Sequence, residues 1–487
     1  MNKILLLASI IIFFAVDSTH SQDSHYWSQN FGARPSLLGG SIVGGDHDNS
    51  AVFYTPGAIG FIDNIHLSIN ANAYQGYVFR VKDGLGQDND ITRSSFNIYP
   101  QIIAGLFKID KFPKWRFGYT LLTRNFFNLS VNDRVRLKAN IDNNSNNDYI
   151  GVLEYDSFLN EQWAGLCIGH RFNDKFSIGI SLFGTYRFQK QKSFSYVRTT
   201  TNNDGEHYSF NNYYLSSITD VGSIIKAGLC YFSGGFRWGI AITTPKLFTL
   251  GQANVQREIS YTNLPSNTLV GADENLLGID EQRELPAKFK LPFSVSGGFN
   301  YEFPWTKLGF SAEYFFAIDP YSVVTARDNK FYTTNSTFAH ANGLLMLTSK
   351  DYMTIRTQAE SVLNFSVGIE QELHDKVDML LGFHTDYSYL KNADMSSENK
   401  ANIQLPAHAS WDLYHASAGF SIGNNKRDFV LGVIYSFSSG NNVQAWKSYL
   451  NPNINNRFEG EPYNNASIDY HSLNFVIGYT HFFDTDQ

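Results

Sequence analysis

The sequence predicts an all-β fold, a transmembrane antiparallel β-barrel of about fourteen strands with its N-terminal segment folded inside. Three observations point to it. From about residue 64 onward apolar and polar residues alternate with a period of two, the mark of strands whose two faces meet different surroundings. The connections between these stretches alternate between tight turns and long polar segments, as in outer-membrane barrels with periplasmic turns and extracellular loops. The composition holds 40 Phe and 28 Tyr beside 38 Gly and only 13 Pro, and amphipathic rings gain by straddling lipid and headgroup.

The chain opens with Met1-Asn2-Lys3, continues through a largely apolar run from Ile4 to Val16, and turns polar at Asp17. This reads as a secretory signal peptide over residues 1–21, with small residues at Thr19 and Ser21 for the peptidase. It is too short to span a bilayer, and no later apolar run is long enough for a membrane helix. No Cys follows the run, so a lipid anchor is not expected.

Residues 22–63 precede the first strand. Their centre, "ARPSLLGGSIVGGDHDNSAVFYTPGAIGF" (Ala33 to Phe61), carries Gly39, Gly40, Gly44 and Gly45 but lacks the Gly-Lys-Ser/Thr ending of a phosphate loop. A barrel of this size leaves an interior open to water and ions unless something fills it. Glycines allow tight backbone paths along a crowded wall, and Pro56 fixes φ just ahead of the first strand. The segment therefore reads as a plug, or hatch.

The barrel is expected over 64–487, with strands near 64–81, 95–109, 115–132, 149–172, 175–190, 208–232, 235–249, 286–303, 307–320, 358–373, 377–390, 411–424, 428–440 and 471–484. Leu308, Phe310, Ala312, Tyr314 and Phe316 alternate with Gly309, Ser311, Glu313 and Phe315; Phe429, Leu431, Val433, Tyr435 and Phe437 do the same against Val430, Gly432, Ile434, Ser436 and Ser438. A soluble sandwich also alternates, but here the second face is rich in Gly, Ser and Thr, as a lumen requires. The tight turns lie at 109–115, 172–176, 232–236, 303–307, 373–377 and 424–428. The long polar segments lie at 140–147, 190–206, 250–282, 328–356, 392–409 and 441–470. The aromatic run ending at Phe482-Phe483 suits a last strand closing against the first.

A net charge of −7 without basic clusters gives nucleic-acid binding nothing to stand on. Cys167 and Cys230 are separated by a whole strand on this assignment, roughly 9–10 Å at ordinary strand spacing. That exceeds the reach of a disulfide, so two free thiols are expected.

The segment Gly32-Ala33-Arg34, Gly39-Gly40, Asp48, Ser50-Ala51-Val52-Phe53-Tyr54 and Pro56 resembles the N-terminal hatch of the FadL/TodX family of outer-membrane transporters of long-chain fatty acids and hydrocarbons. Thr55 stands where that family usually has Asn, and Gly57 where it has Ala. "ITTPKLF" (Ile242 to Phe248) and "LPAKFKLPFSVSGGFNYEF" (Leu285 to Phe303) are similar, more weakly, to later family steps. The resemblance implies a fourteen-stranded barrel, a hatch in its lumen, and lateral release of ligand beside an inward kink in the third strand. It implies passive transport of hydrophobic molecules by a monomer in the outer membrane of a Gram-negative bacterium, among lipid and lipopolysaccharide, with no cofactor, metal or catalysis. The alternatives are a non-transporting interaction or shuttle protein of the secretion-system type on the same fold, or a general porin.

Candidate residues follow. In the hatch they are Gly39, Gly40, Asp48, Asn49, Thr55 and Pro56, serving either gating or folding alone. On the third strand Phe117, Tyr119, Leu121, Phe127, Leu129 and Val131 are expected on one face, interrupted by Thr123 and Asn125. These two mark either a lateral opening or the outer interface, where polarity is free. Arg187 and Lys226 face the lumen by strand phase, where they either hold a ligand carboxylate or pair with luminal acids. Phe331-Tyr332 and "ANGLLML" (Ala341 to Leu347) are candidates for apolar capture in the loops, the latter equally for a short packed helix. His415 and Ser417 share a face but lack an orienting group or nucleophile motif. The acidic knots at Asp46-His47-Asp48 and Asp83 to Asp90 lack full cation-ligand spacing and read as solvated turns.

Overall fold

The computed structural model describes residues 24–45, 49–62, 66–140, 145–200, 207–264, 274–332, 348–390, 403–404, 411–424, 427–443, 445–453, 458 and 460–482. Expectations for the signal peptide, Asp46-His47-Asp48, Ala341 to Leu347 and Phe483 lie outside these residues.

A closed barrel of 14 antiparallel strands makes up most of the chain. They are β1 (His66–Lys82), β2 (Ile91–Phe107), β3 (Trp115–Asn140), β4 (Ser145–Arg171), β5 (Phe176–Thr200), β6 (His207–Ser233), β7 (Phe236–Thr243, resuming as Phe248–Leu264), β8 (Glu274–Ala287, resuming as Ser294–Glu302), β9 (Thr306–Phe315, resuming as Ile318–Val324), β10 (Ile355–Ala359, resuming as Val362–His374), β11 (Val377–Asp386), β12 (Leu413–Asn424), β13 (Arg427–Val443) and β14 (Ala466–Phe482). β14 closes on β1 from Phe482↔His66 to Ser467↔Lys82. Each strand matches one expected from the alternation, and the pairing of the last strand with the first closes the sheet on itself.

The two faces separate as the period-two pattern requires. Leu308, Tyr314, Phe429, Leu431 and Tyr435 are exposed on the outside, while Ser311, Glu313, Val430, Ile434 and Ser436 are buried inside. Cys167 and Cys230 are buried free thiols on β4 and β6, with β5 between them.

The strands run longer than expected on the loop side. β3 to β6 have 26, 27, 25 and 27 residues, whereas about 9–11 suffice to cross a bilayer. Much of what reads as loop at 140–147, 190–206 and 250–282 is therefore strand standing above the membrane. Its inner face carries Tyr149, Val197, Phe210, Val255 and Leu276, which join one buried core with Tyr449 and Phe458 from the loops. With water rather than lipid outside, the outer face is polar, so the stretch reads as loop. Phe331 and Tyr332 belong to this core, nearly inaccessible and packed against Tyr352 of the short helix Ser349–Met353. They are not an exposed capture surface.

Candidate functional site

Residues 24–45 and 49–62 run through the barrel interior, touching strands around its circumference. Helix α1 (Ala33–Leu37) packs on β11 to β14; α2 (Ala51–Tyr54) and the 3₁₀ turn Pro56–Phe61 pack on the opposite side, chiefly β3 to β6. The plug backbone can lie directly on the wall because the wall offers glycine there. Gly169, Gly179 and Gly228 are cross-strand neighbours, as are Gly309, Gly368 and Gly382. A Cβ at Gly179, Gly239 or Gly382 would overlap plug backbone at Pro56, Val43 and Gly39. Leu37, fully buried, enters between Gly419 and Gly432, a burial contributing about 1.5–3 kcal/mol. Luminal hydroxyls supply the polar half of the seat: Ser181 donates to the Val52 carbonyl at 2.7 Å and Ser417 to that of Leu37 at 2.9 Å.

Five of the expected hatch residues, Gly39, Gly40, Asn49, Thr55 and Pro56, sit within this seat, and Asp48 lies outside the described residues. Gly39 and Gly40 have φ of 65° and 78°, a left-handed turn that favours glycine. Asn49 donates to the Ala104 carbonyl of β2 at 3.1 Å. Thr55, fully buried, donates to the Val43 carbonyl at 2.8 Å, tying the two halves of the plug together. Pro56 opens the 3₁₀ turn against Gly179 and Gly228.

β3 changes phase in mid-strand. Its pairing with β4 slips between Thr123 and Asn125, a β-bulge that exchanges the two faces. Phe117, Tyr119 and Leu121 face outward, but Phe127, Leu129 and Val131 are buried, which corrects the single face expected for all six. At the same level the β2–β3 ladder ends. It runs only from Phe107↔Phe117 to Ile102↔Leu122, and among the described residues no backbone pairing joins the two strands above that point. Pro100, without an N–H, stands just beyond it on β2. Side chains span the gap instead: Tyr99 stacks on Phe126 with centroids 5.0 Å apart, and Arg93 binds Asp133 at 2.7 Å. Gln29 of the plug reaches into the bulge, its amide donating to the Thr123 carbonyl at 2.8 Å and accepting from the Phe126 N–H at 3.2 Å.

The bulge turns Arg124 inward, where its guanidinium donates to the Tyr26 carbonyl at 2.6 Å and faces the rings of Phe31, Phe53 and Trp163. Two cavities meet at Tyr26 and Arg124. One, bordered by Asn125, Glu161, Arg187 and Phe289, holds about 50 Å³; the other, also about 50 Å³, is bordered by Trp27, Phe31, Phe53, Trp163, Lys226 and Phe315. Arg187 is neutralised by Glu161 at 2.8 Å and lies 3.7 Å over the Phe289 ring. Lys226 differs. Its side chain is buried with Nζ 4.7 Å from the Phe53 ring centre, and among the described residues no carboxylate lies within ion-pair distance. The nearby Glu313 instead accepts from Trp27 Nε1 at 3.0 Å and Ser294 Oγ at 2.6 Å.

Asn125, Arg187 and Lys226 are thus brought together around one cavity system, while Thr123 meets it only through Gln29, which binds its carbonyl. Arg124, Gln29 and the plug aromatics complete it and were not singled out from the sequence. The signal for Arg124 was present in Thr123-Arg124-Asn125, three polar residues in a row that break an apolar alternation. His415 bonds Ser436 at 2.7 Å and stacks on His384 at 4.2 Å, away from any nucleophile pairing with Ser417. The carboxylates of Asp83 and Asp90 are taken up by backbone N–H groups and Arg80.

No protein-family model matches the chain, and no curated protein matches it in sequence. Solved structures do match in fold. A FadL homologue of Pseudomonas aeruginosa superposes with a TM-score of 0.56 at 12% identity, over 94% of this chain and 100% of its own. The P. putida toluene transporter TodX gives 0.55 at 12%, over 93% and 99%, and the Ralstonia pickettii toluene transporter TbuX gives 0.53 at 13%, over 93% and 99%. With its apolar outer band and closed wall, the chain is a transmembrane β-barrel of the outer-membrane type. Its particular architecture is the FadL/TodX fold, in agreement with the resemblance carried by its N-terminal motif.

Proposed function

We propose that this barrel carries hydrophobic molecules passively across the outer membrane, receiving them in the cavities beneath the plug's N-terminal arm and releasing them sideways between β2 and β3. The observation that carries the reading is the end of the β2–β3 ladder at Ile102↔Leu122 beside a bulge that turns Arg124 into the cavity wall. A ladder left unpaired in a membrane wall is costly, so its side-chain closure by Tyr99–Phe126 and Arg93–Asp133 fits a gate better than a structural lapse. The cavities are smaller than any long-chain ligand, so occupancy requires the plug arm around Tyr26 to Gln29 to move, and Gln29 transmits that movement to the bulge. The aromatic lining suits an alkyl chain or aromatic ring. Lys226 suits an anionic end, as in a fatty acid, since a buried ammonium gains most from a charge-assisted partner.

The test is retention of ligand by the purified, delipidated barrel, read by native mass spectrometry after exposure to fatty acids, alkanes and monoaromatics. Stoichiometric retention of an apolar ligand, weakened for acids alone by Lys226→Met, is the expected result. No retention across the panel would sink the transport reading.

A further inference from the structure

The wall breaks at a second place. Below, β7 and β8 pair without interruption from Tyr301↔Phe236 to Ser294↔Thr243; above, pairing resumes at Gly251↔Ala287. Between these points, residues 244–250 of β7 and 288–293 of β8 are all described, and no backbone hydrogen bond joins them. The sequence accounts for the break. Pro245 lies in one edge and Pro292 in the other, and a proline has no N–H to give a ladder. Each edge is held from its far side instead. Thr244 and Leu247 donate their N–H groups to Ile225 and Ser223 of β6 at 2.9 and 2.8 Å, while Lys288 donates to Val323 of β9 at 2.8 Å. The segment 244–247 is further fixed by Lys246, whose ammonium binds the fully buried Asp220. The two edges are thus anchored apart.

What lies on either side of this gap gives it a use. Thr243, Thr244, Leu291 and Pro292 line the same cavity as Lys226 and Phe53. On the outer surface the gap is rimmed by Leu247, Phe248 and Leu250, exposed by 55, 50 and 71%, with Phe293 and Phe316 in ring contact at 5.3 Å opposite. Apolar side chains are expected on a lipid-facing wall. A prolonged ladder break opening from them onto an aromatic cavity is not.

We propose that the β7–β8 gap is a second side port, through which a single alkyl chain passes between the lipid phase and the cavity that holds Lys226. This deepens the transport reading and rests on it: the β2–β3 seam and the β7–β8 gap are two doors to one chamber. The experiment photolabels the full-length barrel in lipid nanodiscs with a diazirine analogue of palmitic acid and maps the adducts by mass spectrometry. Unlabelled palmitate is present or absent, and Leu166, Leu182 and Leu473 serve as plain lipid-facing references. The expected result is labelling at 244–250 and 288–293 that competing palmitate abolishes, and that is lost in Leu291→Trp and, as an independent variant, Thr244→Trp. Reference positions should label without competition. Variants whose barrel keeps its heat-modifiable migration have folded, so loss of labelling in them reports the port. Competed labelling inside the cavity at Phe53 or Tyr26, with the gap behaving like the reference positions, overturns the port and leaves the transport reading intact. Absence of competed labelling anywhere overturns both.

Discussion

The barrel wall differs sharply between the level where it seats the plug and the level just above. At the seat, ladders run unbroken through Gly118, Gly179, Gly239, Gly309 and Gly382, and the plug backbone rests where side chains are missing. Four residues above Gly118, at Leu122, the β2–β3 ladder stops; four residues above Gly239, at Thr243, the β7–β8 ladder stops. Both cavities lie between these two breaks. A wall that cannot yield supports the plug, and a wall with gaps borders the chamber, so the plug's N-terminal arm can move without unseating the glycine-bound remainder.

The comparison breaks first at the seat. Gly382→Val places a branched side chain on plug backbone at Gly39, an overpacking that costs about 1–3 kcal/mol. Thermal unfolding of the barrel should come earlier and the plug should become cleavable by added protease. Gly76→Ala is the counterpart, since nothing lies within 4 Å of its added Cβ, and it should do neither. Equal behaviour of the two variants would remove the seat from the account.

A smaller effect is expected in the chamber. Lys226→Met forfeits a charge-assisted hydrogen bond of about 1.5–3 kcal/mol, so a fatty acid should bind roughly ten- to a hundredfold more weakly while an alkane of equal length binds as before. Equal loss for both ligands would mean that the substitution disturbs packing and that Lys226 reads no charge. Weaker again is the link between plug and seam. Gln29→Ala should speed hydrogen exchange at the Phe126 amide and leave Asn49's neighbourhood unchanged; protection that stays the same at Phe126 would cut the coupling between the two.

The smallest effect is on the outer hairpin at 83–90. The Arg80 guanidinium, hydrogen-bonded to Asp90, holds that carboxyl below its ordinary value. A depressed carboxyl stabilises the folded form fully above its unfolded pKa of about 3.9, and the contribution is lost as pH falls through the lower folded value. The hairpin should therefore loosen only in strong acid, and Asp90→Asn should remove that dependence without affecting ligand retention, as amide exchange across pH would show.

Much of this was legible in the chain itself. Alternation in stretches such as Leu308 to Phe316 reports lipid on one side and a crowded lumen on the other, and tight turns such as Phe172 to Phe176 reveal the barrel's connectivity. The strands above the membrane were hidden because water, unlike lipid, leaves polar outer faces that look like loop. The bulge at Arg124 was hidden for a different reason: one extra residue reverses the faces, so Phe127, Leu129 and Val131 keep their odd numbers while moving inside. Lys226 could be placed in the lumen by phase, but its lack of a carboxylate partner among the described residues, in contrast to Arg187 with Glu161, depends on cross-strand neighbours brought together by the fold.

The most direct measurement is uptake of a radiolabelled fatty acid into cells expressing Tyr99→Cys/Phe126→Cys, before and after the seam is joined by a short thiol-bridging reagent; Cys167 and Cys230, both buried, should not compete. The account expects uptake in the unbridged protein, a fall on bridging to what the β7–β8 gap alone passes, recovery on reduction, and ligand still retained in the chamber throughout. Undiminished uptake through a bridged seam would contradict release between β2 and β3.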